Sequence, residues 1–154
     1  MSAPPYSVAH VLHLLTSHAR LTGRPLLERA AGEGDGELAA RLYAASFVVL
    51  AHSTEPDPLF NYANLAAHRL FERTWDELIG LPSRLSAEAP ERHEREQLLA
   101  RVTAHGFIDD YSGVRIARSG RRFCILRATV WNVTDTEGRP LGQAAAFSDW
   151  TPCD

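Results

Sequence analysis

The chain has 154 residues, of which 45% are hydrophobic and 23% charged, proportions that suit one packed domain and exclude a disordered chain. A net charge of -3 and a pI near 6.1 give no global attraction to nucleic acid or to an anionic membrane, so neither is expected as a partner. All 16 basic residues are arginine, and the absence of lysine excludes Schiff-base chemistry and the phosphate loop that ends in Gly-Lys-Ser/Thr.

The two cysteines, Cys124 and Cys153, lie far apart and form no Cys-x-x-Cys pair, so neither a thiolate zinc site nor a disulfide framework is indicated. The opening residues carry no basic leader and no long apolar core, and no stretch approaches the ~20 apolar residues that span a bilayer. A soluble cytoplasmic protein is therefore expected.

In chain order, Val8, Leu12, Leu15 and Ala19 recur at helical spacing over residues 7–21. Gly23 and Pro25 end that helix. An acidic, glycine-rich linker holds Gly32-x-Gly34-x-Gly36, but no strand precedes it and its carboxylates repel phosphate. A second helical run covers 37–45. The apolar run 47–50 and its resumption at 59–62 read as the first two strands.

Asn64 is placed to cap a helix ending at Phe71, and Thr74 with Glu77 forms a capping box before Gly80 and Pro82. A longer helix is expected over 90–105, with Leu98, Leu99 and Val102 inward, Glu91 and Arg95 as an i, i+4 pair, and Gly106 as the stop. Strands at 110–118, 121–133 and 141–150, joined by turns, complete a three-strand meander. The expected fold class is α+β: a five-stranded antiparallel sheet with helices on one face, over residues 46–151, preceded by a helical extension over 1–45.

This element order resembles a PAS-like sensor fold, and local phrases narrow the resemblance. Thr54-Glu55-Pro56-Asp57-Pro58 leading to Asn61-Tyr62-Ala63-Asn64 is similar to the MEKHLA domain family. So are the phrases 81–88 and 106–115, Gly120-Arg121-Arg122-Phe123, Val130-Trp131-Asn132 and Gly142-Gln143-Ala144-Ala145. The leading helix with residues 21–26 resembles the extension of free-standing bacterial members. The family also occurs at the carboxyl end of plant class III homeodomain leucine-zipper regulators, where it is regarded as a PAS-related sensory or regulatory module. The resemblance implies that fold and a sensory role; it brings no ligand, cofactor or reaction.

Alternation sorts the meander into faces. Leu126, Ala128 and Val130 oppose Arg127, Thr129 and Trp131 on the middle strand, and Gly142, Ala144 and Ala146 oppose Gln143, Ala145 and Phe147 on the last. Tyr111 and Arg115 share a face of the strand before. A ligand pocket is expected to be lined by Trp131, Gln143, Tyr111 and Arg115, with Asn61 and Tyr62 at its rim. Arg115 would meet an anionic ligand and Gln143 would orient it, and neither needs to change protonation, which favours binding over catalysis.

Arg118, Arg121 and Arg122 at a hairpin tip read as solvated, whereas Arg115 and Arg127 are placed to meet a buried acid such as Asp57, Asp109 or Asp110. His52, Ser53, Asp57, Asn61 and Tyr62 crowd one loop, but turn-forming roles explain them more simply than catalysis. His10, His13 and His18 lack a nearby third ligand, and His93 and His105 only flank the long helix, so neither metal nor haem is expected. Cys124 reads as a buried apolar filler beside Leu126 and Val130.

No Ser-His-Asp pattern, Gly-x-Ser-x-Gly turn or His-Glu-x-x-His helix marks an enzyme. The leading expectation is a sensory or regulatory module that binds a small molecule or a protein partner. The alternative is a small enzyme acting on a low-molecular-weight metabolite in the same cavity, and a third reading is an interaction domain without a ligand. The cofactor stays unspecified. The first helix is expected to bury Val8, Leu12 and Leu15 against the domain or against a second copy in a homodimer.

Overall fold

The computed structural model describes residues 3–87 and 89–153, the side chains of 89–92 and 95 excepted, so the Glu91–Arg95 pair lies outside the described residues. The chain runs through helices α1 (Val8–Thr22) and α2 (Asp35–Tyr43) and strands β1 (Val48–His52) and β2 (Phe60–Ala63). Helices α3 (Leu65–Phe71) and α4 (Trp75–Leu78), a 3-10 turn (Ser83–Ser86) and α5 (Ala89–His105) follow. Strands β3 (Phe107–Ile116), β4 (Arg122–Thr134), β5 (Pro140–Phe147) and β6 (Asp149–Pro152) complete it. The strands form one antiparallel sheet in the order β2-β1-β5-β4-β3, with β6 paired to β4.

Local chemistry sets the helix starts. The Ser7 hydroxyl accepts from the His10 amide, Asn64 Oδ1 from the Ala67 amide, and Thr74 Oγ1 from the Glu77 amide, each satisfying an orphan donor of the first turn. Asn64 does more than cap. Fully buried, it also accepts from the Val49 amide and donates to the carbonyls of Leu42 and Phe47, so α2, β1 and α3 meet on one side chain.

β4 carries a bulge that the alternation pattern did not anticipate. Residues 129–134 pair with β5 and residues 123–126 with β6, and between them Arg127 takes φ 52°. One extra residue reverses the pleat, so Phe123 and Ile125 share a face with Ala128 and Val130. Leu126 therefore leaves the file it was assigned to, and Cys124 is half-buried beside it instead of filling the core. Arg127 is exposed and pairs with Asp149 of β6 at 2.6 Å, not with a buried acid. The expected single last strand accordingly splits at Ser148 into β5 and β6.

Both faces of the sheet are covered. On the inner face Ala67, Leu70 and Phe71 of α3 pack on Val48, Leu50, Phe123 and Ile125, while Leu98 and Val102 of α5 pack on Ile108 and Val130. On the outer face α1 and α2 bury Val49, Ala51, Trp131, Val133, Ala144 and Ala146.

The buried stripe of α1 is rotated from the expected one. Val11, Leu14, Leu15, Ser17 and His18 are buried, whereas Val8, Leu12 and Ala19 are half-buried. The polar members explain the rotation. Ser17 Oγ accepts from the Thr134 amide and donates to its carbonyl, closing the end of β4, and Trp131 Nε1 donates to the Leu14 carbonyl at 3.1 Å. The stripe is thus buried within one chain and needs no second copy to cover it.

The β3–β4 hairpin tip is tied down, not merely solvated. Arg118 pairs with Glu77, and Arg121 with Glu72 at 3.3 Å, joining the hairpin to the α3–α4 region. In the glycine-rich linker Arg41 binds Glu33 at 2.7 Å and holds its carboxyl down to about 2, and Arg29 meets Asp35.

Candidate functional site

A cavity of about 60 Å³ lies between the inner face of the sheet and α5. Leu50, Phe60, Leu98, Ile125, Ala128, Val130 and Phe147 make its walls apolar, and Tyr111, Arg115 and Gln143 bring its principal polar groups. A wider groove of about 430 Å³, bordered by Thr54, Glu55, Asn132 and Thr134, meets the cavity at His52, Leu99 and Gln143.

Arg115 is only 9% exposed. Its Nη1 donates to the Val114 carbonyl at 3.1 Å, and its guanidinium carbon lies 5.4 Å from the centre of the Tyr111 ring, a cation–π contact. Tyr111 reaches that position by lying across Gly113, where a Cβ would overlap its hydroxyl. No carboxylate among the described residues pairs with Arg115: Asp57 is held by Arg84 at 3.2 Å, and Asp109 and Asp110 are exposed.

Gln143 is placed by register, since the pairs Asn132↔Gln143 and Trp131↔Ala144 set it on the inner face. Its Nε2 lies 3.2, 3.0 and 3.0 Å from the Leu99 carbonyl, Thr103 Oγ1 and Asn132 Oδ1, three acceptors that share its two N–H groups. Asn132 Nδ2 in turn donates to the Val102 carbonyl, and the Thr103 hydroxyl donates to Leu99. This chain fixes the amide with Nε2 toward α5 and leaves Oε1 as its acceptor.

Of the six expected site residues, Tyr111, Arg115 and Gln143 therefore line one cavity, and the other three do not. Trp131 is fully buried on the outer face, edge-on to His18 at 4.8 Å. Tyr62 is fully buried against Tyr6 and Trp75; burial, and then Tyr6 and Tyr43, push its hydroxyl pKa up. Asn61 is half-buried on β2 and lines neither space. For Trp131 and Tyr62 the physical reason is parity: both lie in register with Ala144, Tyr62 through Ala51, and so cannot share a face with a residue opposite Asn132.

Sequence reading missed Ser86, Thr103 and Asn132. Ser86 sits on a 3-10 turn with no pattern of its own, and the roles of Thr103 and Asn132 exist only once α5 lies over β4 and β5.

His52 Nδ1 bonds the Ser53 carbonyl at 3.0 Å, the Ser53 hydroxyl accepts from the Leu59 amide, and Asp57 faces Arg84. Among the described residues no group of three or more His, Cys, Asp or Glu is arranged to hold a metal ion. Nor is any described helix long and apolar enough to cross a membrane.

A family model for the MEKHLA domain matches residues 8–152. Among solved structures the chain is similar to the PAS domain of a protein from Colwellia psychrerythraea, at 11% identity and a TM-score of 0.62, covering 72% of this chain and 92% of that one. It is similar to a light-oxygen-voltage domain studied with a flavin analogue, at 14% identity and a TM-score of 0.60, covering 81% and 89%. It also resembles an RNA-binding light-oxygen-voltage receptor, at 20% identity and a TM-score of 0.58, covering 73% of this chain and 31% of that one. Likeness at these identities shows the fold alone. No significant match was found among curated proteins.

A flavin does not fit the cavity. At about 60 Å³ it is several-fold below the roughly 300 Å³ at which cofactor-sized sites begin, and neither Cys124 nor Cys153 lines it. His93 and His105 are likewise outside its walls; the histidine that lines it is His52, whose Nδ1 bonds the Ser53 carbonyl.

Proposed function

Because the chain belongs to the MEKHLA domain family, a PAS-like sensory family, we propose that it takes a small molecule into the cavity under α5 and reports occupancy through that helix. The observation that carries this reading is the hydrogen-bond chain from Gln143, on the cavity wall, to Leu99, Thr103 and, through Asn132, Val102 of α5. A ligand that takes a bond from Gln143 removes it from α5. Each such bond is worth about 1 kcal/mol net, so its loss shifts the local opening of α5 roughly fivefold.

The enzyme alternative has less support. It needs an acid–base pair at the cavity wall, whereas His52 bonds its neighbour's carbonyl, Asp57 is held by Arg84 and Tyr62 lies on the opposite face.

Native mass spectrometry of the purified protein identifies any small molecule it retains, and hydrogen exchange of α5 with and without that compound reads the coupling. Gln143→Leu is expected to raise exchange in α5 and to remove the ligand's effect on it. No retained compound, together with unchanged α5 exchange in Gln143→Leu, would overturn the reading.

A further inference from the structure

We infer that the cavity is shaped for a short-chain monocarboxylate, with Arg115 as the group that binds its carboxylate. The inference rests on reading the cavity as a ligand site and adds the chemical class of the ligand. A guanidinium carries five N–H donors and keeps its charge at any physiological pH, so burying it without an acid is costly. Arg115 is nonetheless 9% exposed, spends Nη1 on the Val114 carbonyl, and has no ion-pair partner among the described residues. The Tyr111 ring supports the cation but accepts none of its remaining in-plane hydrogen bonds. Among the described residues a buried cation without an ion-pair partner thus stands beside a cavity, which is the arrangement a bidentate carboxylate completes.

Charge and size narrow the class. Arg115 is the one arginine on the cavity wall, so one negative charge is balanced, and a phosphate dianion would leave a second charge in an apolar space. At about 60 Å³ the cavity is several-fold smaller than the roughly 300 Å³ at which drug-sized sites begin, which suits an acid with only a few heavy atoms. Leu50, Ile125, Val130 and Phe147 offer no hydrogen bond, so the part of the tail that they surround is hydrocarbon, and any polar substituent has to face Gln143 or Ser86.

Methyl NMR titration of the full chain at constant pH and ionic strength tests this, with propionate and butyrate as probes, propionamide as the neutral isostere, and inorganic phosphate as the competing anion. Propionate is expected to shift the methyl signals of Leu50, Ile125 and Val130 saturably and to bind at least tenfold tighter than propionamide. Arg115→Met should bring that ratio close to one, and Ala145→Leu, which fills the cavity without touching the charge, should abolish both titrations. If propionamide matches propionate in the wild type, the carboxylate class is wrong while the cavity reading stands. If phosphate binds more tightly than propionate, the monocarboxylate assignment is also wrong. Should neither acid nor amide move any cavity methyl, this inference falls, while the occupancy reading is decided by the retained compound and the α5 exchange. The wild-type ratio decides on its own even if Arg115→Met does not fold.

Discussion

Gly142 is the residue at which β5 comes closest to the β1–β2 turn. Its φ of 141° lies where side chains are rare, and a Cβ there would run into the backbone carbonyl of His52. On sequence alone it shared one face of the last strand with Ala144 and Ala146; the tertiary reason for a glycine is contact with backbone, which cannot move aside. Gly142→Ala is expected to lower stability by at least about 2 kcal/mol, from the sum of a disfavoured φ and a displaced chain. Urea unfolding measures it, and a loss below a few tenths of a kcal/mol would show that the His52 turn is free to shift. Arg115 gives the matching lesson for the site: its position on a shared face with Tyr111 was legible from spacing, but its isolation from acid was not.

At the scale of elements, α1 combines a legible start with an illegible orientation. It starts near residue 7 and stops at Gly23 as the sequence indicates, yet the face it buries includes His18, whose ring packs on Trp131. Burial is the leading cause that lowers the pKa values of His10 and His18 on α1 and of His68 on α3. A histidine whose folded pKa is depressed binds its proton more readily in the unfolded chain. The stability that depends on it is therefore complete above the ordinary imidazole value of about 6.5 and drains away as pH falls from there through the folded pKa. Melting temperature is expected to fall between pH 7.5 and 5.5, and His18→Leu should flatten part of that fall. Equal slopes in scanning fluorimetry for wild type and variant would remove His18 from the account.

On the scale of the whole molecule, three layers share one sheet, and the outer layer is the helical extension. Deleting residues 1–43 uncovers Trp131, Val133, Ala144 and Ala146, which form a contiguous apolar surface on the outer face. The truncated chain is expected to self-associate and to melt at lower temperature, as light scattering on a sizing column and thermal unfolding would report. A monomeric truncation with unchanged melting would mean that the extension contributes nothing to the sheet. The sequence by itself determined the order of elements, the caps at Asn64 and Thr74, and the stops at Gly23 and Gly106, because those signals act within about four residues of where they are written. It also carried the phrases by which the family was recognised. Only the tertiary structure decided that Trp131 and Gln143 face opposite layers, that the Arg127 bulge reverses half of β4, and that Arg115 lines a largely apolar cavity. A pleated strand has period two, so a slip or bulge of one residue exchanges its faces, and no local signal fixes the register of two strands until both layers have packed against them.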